Sequence, residues 1–187
     1  MANADTPRGF WPIRHLSGGI IRAREYLIAT GYTSNIFRGD LVKLVAGGGI
    51  EAAAAGDRFV GVFQGVQYVD AAGNQVYAKH WPASTTATNI KASVYDDPMI
   101  VFGVQSAGST VAADVGNLGD HVAGTGNTNT SLSAHELNGT TSTAYAGFRV
   151  LDRVNAPGNA WGTNVLLEVQ CYEHEYGSSL EATTPGV

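Results

Sequence analysis

Residues 59–81 read FVGVFQGVQYVDAAGNQVYAKHW, and the fold class turns on this stretch. Its first eleven residues are rich in valine and aromatic side chains, the types that suit a pleated, half-buried surface. Asp70-Ala71-Ala72-Gly73-Asn74 then supplies the acid, glycine and asparagine of a hairpin turn. Residues 75–81 return, with Val76, Ala78 and His80 alternating against Tyr77, Lys79 and Trp81, until Pro82 ends the run. Gly61 and Gly65 inside the first strand predict a bend or the close approach of another backbone, as small barrels require.

The same grammar extends outward. Residues 20–28 (IIRAREYLI) set Arg22 and Arg24 in alternation with Ile21 and Ala23, which predicts a strand with one exposed face, stopped at Gly31. Gly39-Asp40 opens a strand over 41–45, and Gly47-Gly48-Gly49 closes it. Residues 51–55 have helix propensity but are too few to stand alone. Residues 90–95 alternate, Asp96-Asp97-Pro98 turns the chain, and 99–104 returns. Residues 110–115 read as one helical turn. Two last strands, 145–154 and 164–172, flank the turn Asn155-Ala156-Pro157-Gly158-Asn159. Roughly seven or eight short strands and no long helix predict an all-β fold, a small antiparallel β-barrel or sandwich.

Residues 116–143, dominated by Gly, Asn, Thr and Ser, predict a long loop or insertion. Loops of that length are uncommon in a domain unless they work or pack against a partner. The expected division is an extended N-terminal arm (1–19), a single β-rich domain (20–176) carrying that loop, and a flexible tail (177–187).

A chain of 187 residues can bury one sizeable core. Charged residues make up only 14 % of it, against about 25 % in ordinary soluble domains. Such a surface suits a protein covered by neighbours in an assembly. The net charge of −5 argues against a nucleic-acid partner, which needs clustered cations. The charge is split, with Arg8, Arg14, Arg22 and Arg24 early and Glu168, Glu173, Glu175 and Glu181 late. That split can orient docking between copies or onto an acidic surface. The one cysteine, Cys171, excludes an internal disulfide and lies in an apolar strand. No stretch has membrane-spanning length and the N-terminus has no apolar signal core, so the expected product is cytoplasmic or released by lysis, with no membrane partner.

No residue pattern announces catalysis. His15, His80, His121, His135 and His174 lack the spacing of a metal-binding pair and read as turn and surface residues. A site assembled from His121, His135 and His174 in three dimensions is the alternative. Gln105-Ser106-Ala107-Gly108-Ser109 is the nearest string to a nucleophile elbow and reads as a polar turn. Cys171 and His174 would face opposite ways on a strand. Asp96-Asp97 could hold one carboxylate as an acid, but Pro98 favours a turn. Gly47-Gly48-Gly49 lacks the Lys and Ser or Thr of a phosphate loop, and Gly124-Thr125-Gly126-Asn127 lacks the aspartates of a calcium repeat. The expectation is no catalytic residue, no cofactor and no metal.

What remains is the start of the chain, MANADTPRGFWPIRH. Pro7 and Pro12 hold it extended, Phe10 and Trp11 supply apolar groups, and Arg8 and Arg14 supply planar cations. Arginine and aromatic residues are the usual anchors of interfaces. The segment reads as an arm lying on a partner subunit, the alternative being a terminal strand that covers its own barrel. Trp81 and Trp161 read as core, Trp11 as interface.

Pro7, Gly9, Phe10, Pro12, Arg14 and His15, read together, resemble the capsid decoration (cement) proteins of tailed bacteriophages. The likeness continues in Gly39-Asp40-Leu41-Val42-Lys43-Leu44, in Gly61-Val62-Phe63, in the Asp96-Asp97-Pro98 turn with its following strand, in 131–137 and in the late strand near Glu168. It touches most of the chain as short motifs in a common order. The resemblance implies a virion protein on the outer surface of the mature head, made in the host cytoplasm, that braces the head against internal pressure. It implies the major capsid protein as partner, a homo-oligomer, often a trimer, and no catalytic residues. Arg8, Phe10, Trp11, Arg14 and His15 would then contact the major capsid protein or a neighbouring copy. Trp11 and the Gly/Thr-rich 116–143 stretch depart from the pattern. The alternative is another virion part, such as a glycan-binding module of the tail or fibre.

Overall fold

The computed structural model describes residues 3–139 and 147–176; the expected tail, and the ends of the 116–143 and 145–154 segments that fall at 140–146, lie outside the described residues. The chain opens with β1 (Trp11–His15), β2 (Arg24–Tyr26), β3 (Ile36–Phe37), β4 (Leu41–Leu44) and β5 (Ile50–Ala52). The ten-residue β6 (Gly61–Asp70) is followed by β7 (Gln75–Ala78), β8 (His80–Trp81) and β9 (Ala87–Tyr95). Then come β10 (Ile100–Gln105), β11 (Ser109–Thr110), β12 (Leu118–Gly119), β13 (His121–Val122) and β14 (Glu136–Leu137). β15 (Phe148–Arg153), β16 (Gly162–Thr163) and β17 (Leu166–Cys171) complete the set. Among the described residues the helical element is a 3-10 turn, Ala112–Asp114, where one helical turn was expected.

The fold is all-β, built of several antiparallel sheets. A five-stranded sheet runs β1-β10-β17-β15-β12, and a six-stranded one runs β2-β9-β6-β4-β5 with β7 beside β6. Among the described residues the end strands of neither sheet form a ladder with one another; β2 and β5 are linked only by the bridge Leu27↔Gly49 and the Ile50 amide, which donates to the Leu27 carbonyl at 2.8 Å. β3–β8, β11–β16 and β13–β14 form small separate ladders.

Two apolar cores follow from the period of two along strands. Leu41 and Val62 of the six-stranded sheet pack with Phe102, Phe148, Leu167 and Val169 of the five-stranded sheet. Their chain neighbours Val42 and Phe63 turn the other way, to a second core with Ile36, Trp81 and Val94. Leu41-Val42 of β4 and Gly61-Val62-Phe63 at the start of β6 are buried on both faces, so each reads as a short unbroken apolar run.

The hairpin around the 70–74 turn forms as expected, with β6 and β7 paired from Val66↔Ala78 to Val69↔Gln75. The Asp70 carboxylate accepts the amides of Ala72 (2.9 Å) and Asn74 (2.8 Å), and Gly73 takes φ +86. The expected close approach at Gly61 is also present: a Cβ there would collide with the Tyr95 carbonyl. At Gly65 the pairing of β6 with β9 slips by one residue between Phe63 and Gly65. This bulge resets the strand's phase, which is why Phe63 and Val66, three apart, both enter the second core.

Five expectations change. Of 20–28 only Arg24–Tyr26 is strand. Residues 50–52 are strand, not nascent helix, because β4 offers an open edge to pair with, and pairing outweighs weak local propensity. The return over 75–81 breaks at Lys79, after which β8 leaves β6 for β3 and buries Trp81 completely. Asp96-Asp97-Pro98 does not close a hairpin: it carries the chain from β9 in one sheet to β10 in the other. The 116–139 stretch is likewise more than a loop. It holds β12, β13 and β14, and it buries Leu118, His121, Ser133, His135 and Leu137 against the rest of the chain.

Candidate functional site

The start of the chain lies on its own body. The Asn3 amide donates to the carbonyls of Ala160 and Thr163, both at 2.8 Å. Gln105 accepts the Thr6 amide at 3.0 Å and donates to the Ala4 carbonyl at 2.7 Å. Gly9 and Gly39 then cross, with the Phe10 amide donating to the Gly39 carbonyl at 2.9 Å. Both have positive φ, and a Cβ on Gly9 would stand 2.5 Å from that carbonyl oxygen. Only glycine fits there without strain. From Trp11 the segment becomes β1, the edge strand of the five-stranded sheet. The terminal-strand alternative describes residues 11–15.

The five residues expected to make contacts divide. Phe10 is 2 % exposed and belongs to the first core, stacked on Phe148 at 4.6 Å, which stacks on Phe59 at 4.7 Å. It has no face left for a partner. His15 is turned to the crossover, its Nε2 3.0 Å from an Asp97 oxygen and its Nδ1 2.9 Å from the Ser17 hydroxyl. Arg8, Trp11 and Arg14 come together on the outward face of the sheet. The Trp11 ring lies over Gly103, where any side chain would overlap it, and the Arg8 guanidinium stacks on that ring at 4.0 Å. Arg14 pairs with Glu168 at 3.1 Å. Strict alternation would set Trp11 with Ile13. A shift in register between Pro12 and Arg14 brings Arg14 to the Trp11 face instead.

Two residues that sequence reasoning passed over share this face. Gln170 follows Glu168 by two and pairs with Arg149, whose guanidinium lies 5.1 Å from the Tyr172 ring. Nothing marks Arg149 in the sequence except its alternation with buried Phe148 and Val150, so only the strand order puts it on the same face as Arg14, with β10 and β17 between them.

The histidines overturn their expectation as turn and surface residues: His121, His135 and His174 are all buried. His174 accepts the Tyr176 amide at Nδ1 (3.1 Å), so Nε2 carries the proton and donates to the Val60 carbonyl at 2.7 Å. His135 accepts the Leu41 amide at Nδ1 (3.3 Å) and turns Nε2 toward Asp40 at 3.5 Å. Burial pushes the Asp40 carboxyl up to about 6, against hydrogen bonds from Ser133 and Phe37. Burial first, then neighbouring His121, holds His135 down at about 3. Asp40 and His135 line an open cleft of about 350 Å³ with Phe37, Ala53 and Gly124. A hydrolase would need an imidazole with a free lone pair to take a proton from a nucleophile. The lone pair of His135 Nδ1 takes the Leu41 amide, which leaves the proton on Nε2, 3.5 Å from an Asp40 oxygen, and the Ser133 hydroxyl accepts the His135 backbone amide. Among the described residues no three His, Cys, Asp or Glu side chains are placed to hold a metal ion.

No protein-family model, characterised protein or solved structure matches this chain.

Proposed function

We propose that this chain is a capsid decoration protein of a tailed bacteriophage: a non-enzymatic virion protein that binds the outer surface of the mature head and stabilises it against internal pressure. One observation carries the reading. The short motifs of the resemblance, far apart in sequence, meet around residues 8–15. Phe10 bonds Gly39, Gly9 packs on Ser133, Arg14 pairs with Glu168 and His15 with Asp97. Val62 joins Phe10 in the first core. A pattern shared in order along a chain gains weight when its parts form one physical unit, because each part then constrains the others. The two main sheets are read as the layers of a sandwich joined through Leu41 and Val62.

The partner is the major capsid protein, and the working form a homotrimer. Exposed Ile20 (76 %), Leu27 (59 %) and Tyr77 (72 %) suit a surface covered in an assembly. The test mixes purified chain with undecorated heads, sediments them, and images the complexes. Saturable decoration of the head and a raised rupture temperature are expected. Label confined to the tail transfers the chain to a tail or fibre module, and no label on any particle ends the virion reading. Light scattering checks the trimer in solution and on release from heads.

A further inference from the structure

The outward face of the five-stranded sheet is continuous from Arg8 to Tyr172. Arg8 lies over Trp11 at 4.0 Å, Arg14 pairs with Glu168, and Arg149 lies over the Tyr172 ring at 5.1 Å on the far side. Three guanidiniums meet two carboxylates here, since Asp152 pairs across to Glu168. Both carboxylates are engaged: Glu168 by Arg14, and Asp152 by the Arg153 amide at 2.7 Å. Arg8 and Arg149 have no carboxylate within ion-pair distance among the described residues; Arg149 donates one bond, at 3.2 Å, to the Gly116 carbonyl. Stacking on a ring fixes a guanidinium plane and leaves its N–H edge pointing outward, in the fork geometry that takes a carboxylate with two bonds. The capacity left over on the face is thus donor capacity, set among aromatic groups.

Resting on the decoration reading, we infer that the docking surface is this whole sheet face rather than β1 alone, with Arg149 and Tyr172 as contact residues, and that the partner surface it fits presents carboxylates. A second copy is a poor occupant, because its matching face offers only the two carboxylates already engaged. A phosphate polyanion is no better, because few cations on a chain of net charge −5 offer little counterion release.

The experiment uses the full chain and undecorated heads. Arg149→Glu and Tyr172→Ala are each compared with Lys91→Glu, which makes the same charge change on the other sheet, where Lys91 pairs with Glu25. Melting temperature reports folding of every variant, and Arg149→Lys serves if Arg149→Glu melts early. Loss of head affinity by about tenfold or more at Arg149 and Tyr172, with Lys91→Glu near wild type, is the expected result. Competition by poly-L-glutamate, and none by duplex DNA, is expected as well. Wild-type binding with undiminished Arg149→Glu and Tyr172→Ala binding overturns this inference and leaves the decoration reading standing. Competition by DNA alone overturns the carboxylate partner. A wild-type chain that binds no head overturns both.

Discussion

Neighbouring residues at the start of the chain have opposite fates, and the difference is measurable. Phe10 fills the first core and Trp11 covers Gly103 from outside. Phe10→Ala leaves a cavity between Phe148 and its surroundings and is expected to cost about 3–5 kcal/mol in urea unfolding. Trp11→Ala removes a half-buried ring and one exposed cation–π contact, so about 1 kcal/mol is expected, together with weaker head binding. Equal costs for the two would return Trp11 to the core. The buried histidines set the response to acid. His135 is held at about 3 in the fold but titrates near 6.5 when unfolded. The unfolded chain therefore binds the extra proton between those values, and stability falls as pH drops through that window. Each such proton is worth up to about 1.4 kcal/mol per pH unit. Asp40, raised to about 6 from 3.8, acts in the opposite sense, because the folded chain takes up its proton first. Asp40→Asn removes that offset. Urea titrations should show a steeper loss between pH 6 and 4 in the variant, and an unchanged slope would contradict the assigned shift.

Among the elements, β6 joins the two cores through Val62 and Phe63, and its bulge keeps the rest of the strand on the second core. Phe63 and Val66 reach one core only because the ladder slips between Phe63 and Gly65. Deleting Gln64 straightens the ladder and sets Phe63 and Val66 two apart, so both keep the face they share with Val94 and Ala92. Retained cooperative melting is expected, measured by circular dichroism against the wild type, and loss of cooperativity would show that the bulge itself is required. β1 illustrates the same device at an edge, since its shift groups Trp11 with Arg14. The 116–139 stretch shows why composition misleads. Its glycines serve close packing: a Cβ on Gly119 would press on Leu137 at 3.1 Å, and one on Gly126 would collide with Phe37. Small residues here let short strands approach the body rather than leave it.

For the molecule as a whole, the five-stranded sheet assembles late parts of the chain around early ones. β1 pairs with β10, and β17 sits between β10 and β15. Such distant pairings predict slow folding, in the ms–s range or longer, seen in stopped-flow fluorescence. Cys171 at the end of β17 is a probe of this closure: it is buried, and burial pushes its thiol well up. A thiol reagent should therefore modify it only at the rate of opening, with fast labelling in urea and almost none in buffer. Rapid labelling of the native chain would show that β17 is not locked in the sheet. The sequence by itself determined the all-β class, the 70–74 hairpin, the need for glycine at position 61 and the strand burial of Cys171. Those features follow from local chemistry, in turn residues, alternation and the space a side chain occupies. Only the tertiary structure decided that β9 and β10 part into different sheets, that three histidines are buried, and that Phe10 belongs to the core while Arg149 joins Arg8 and Arg14. Each of these depends on which strands neighbour one another and where a ladder slips. A period of two is the same whichever neighbour is chosen, and one bulge reverses every face beyond it.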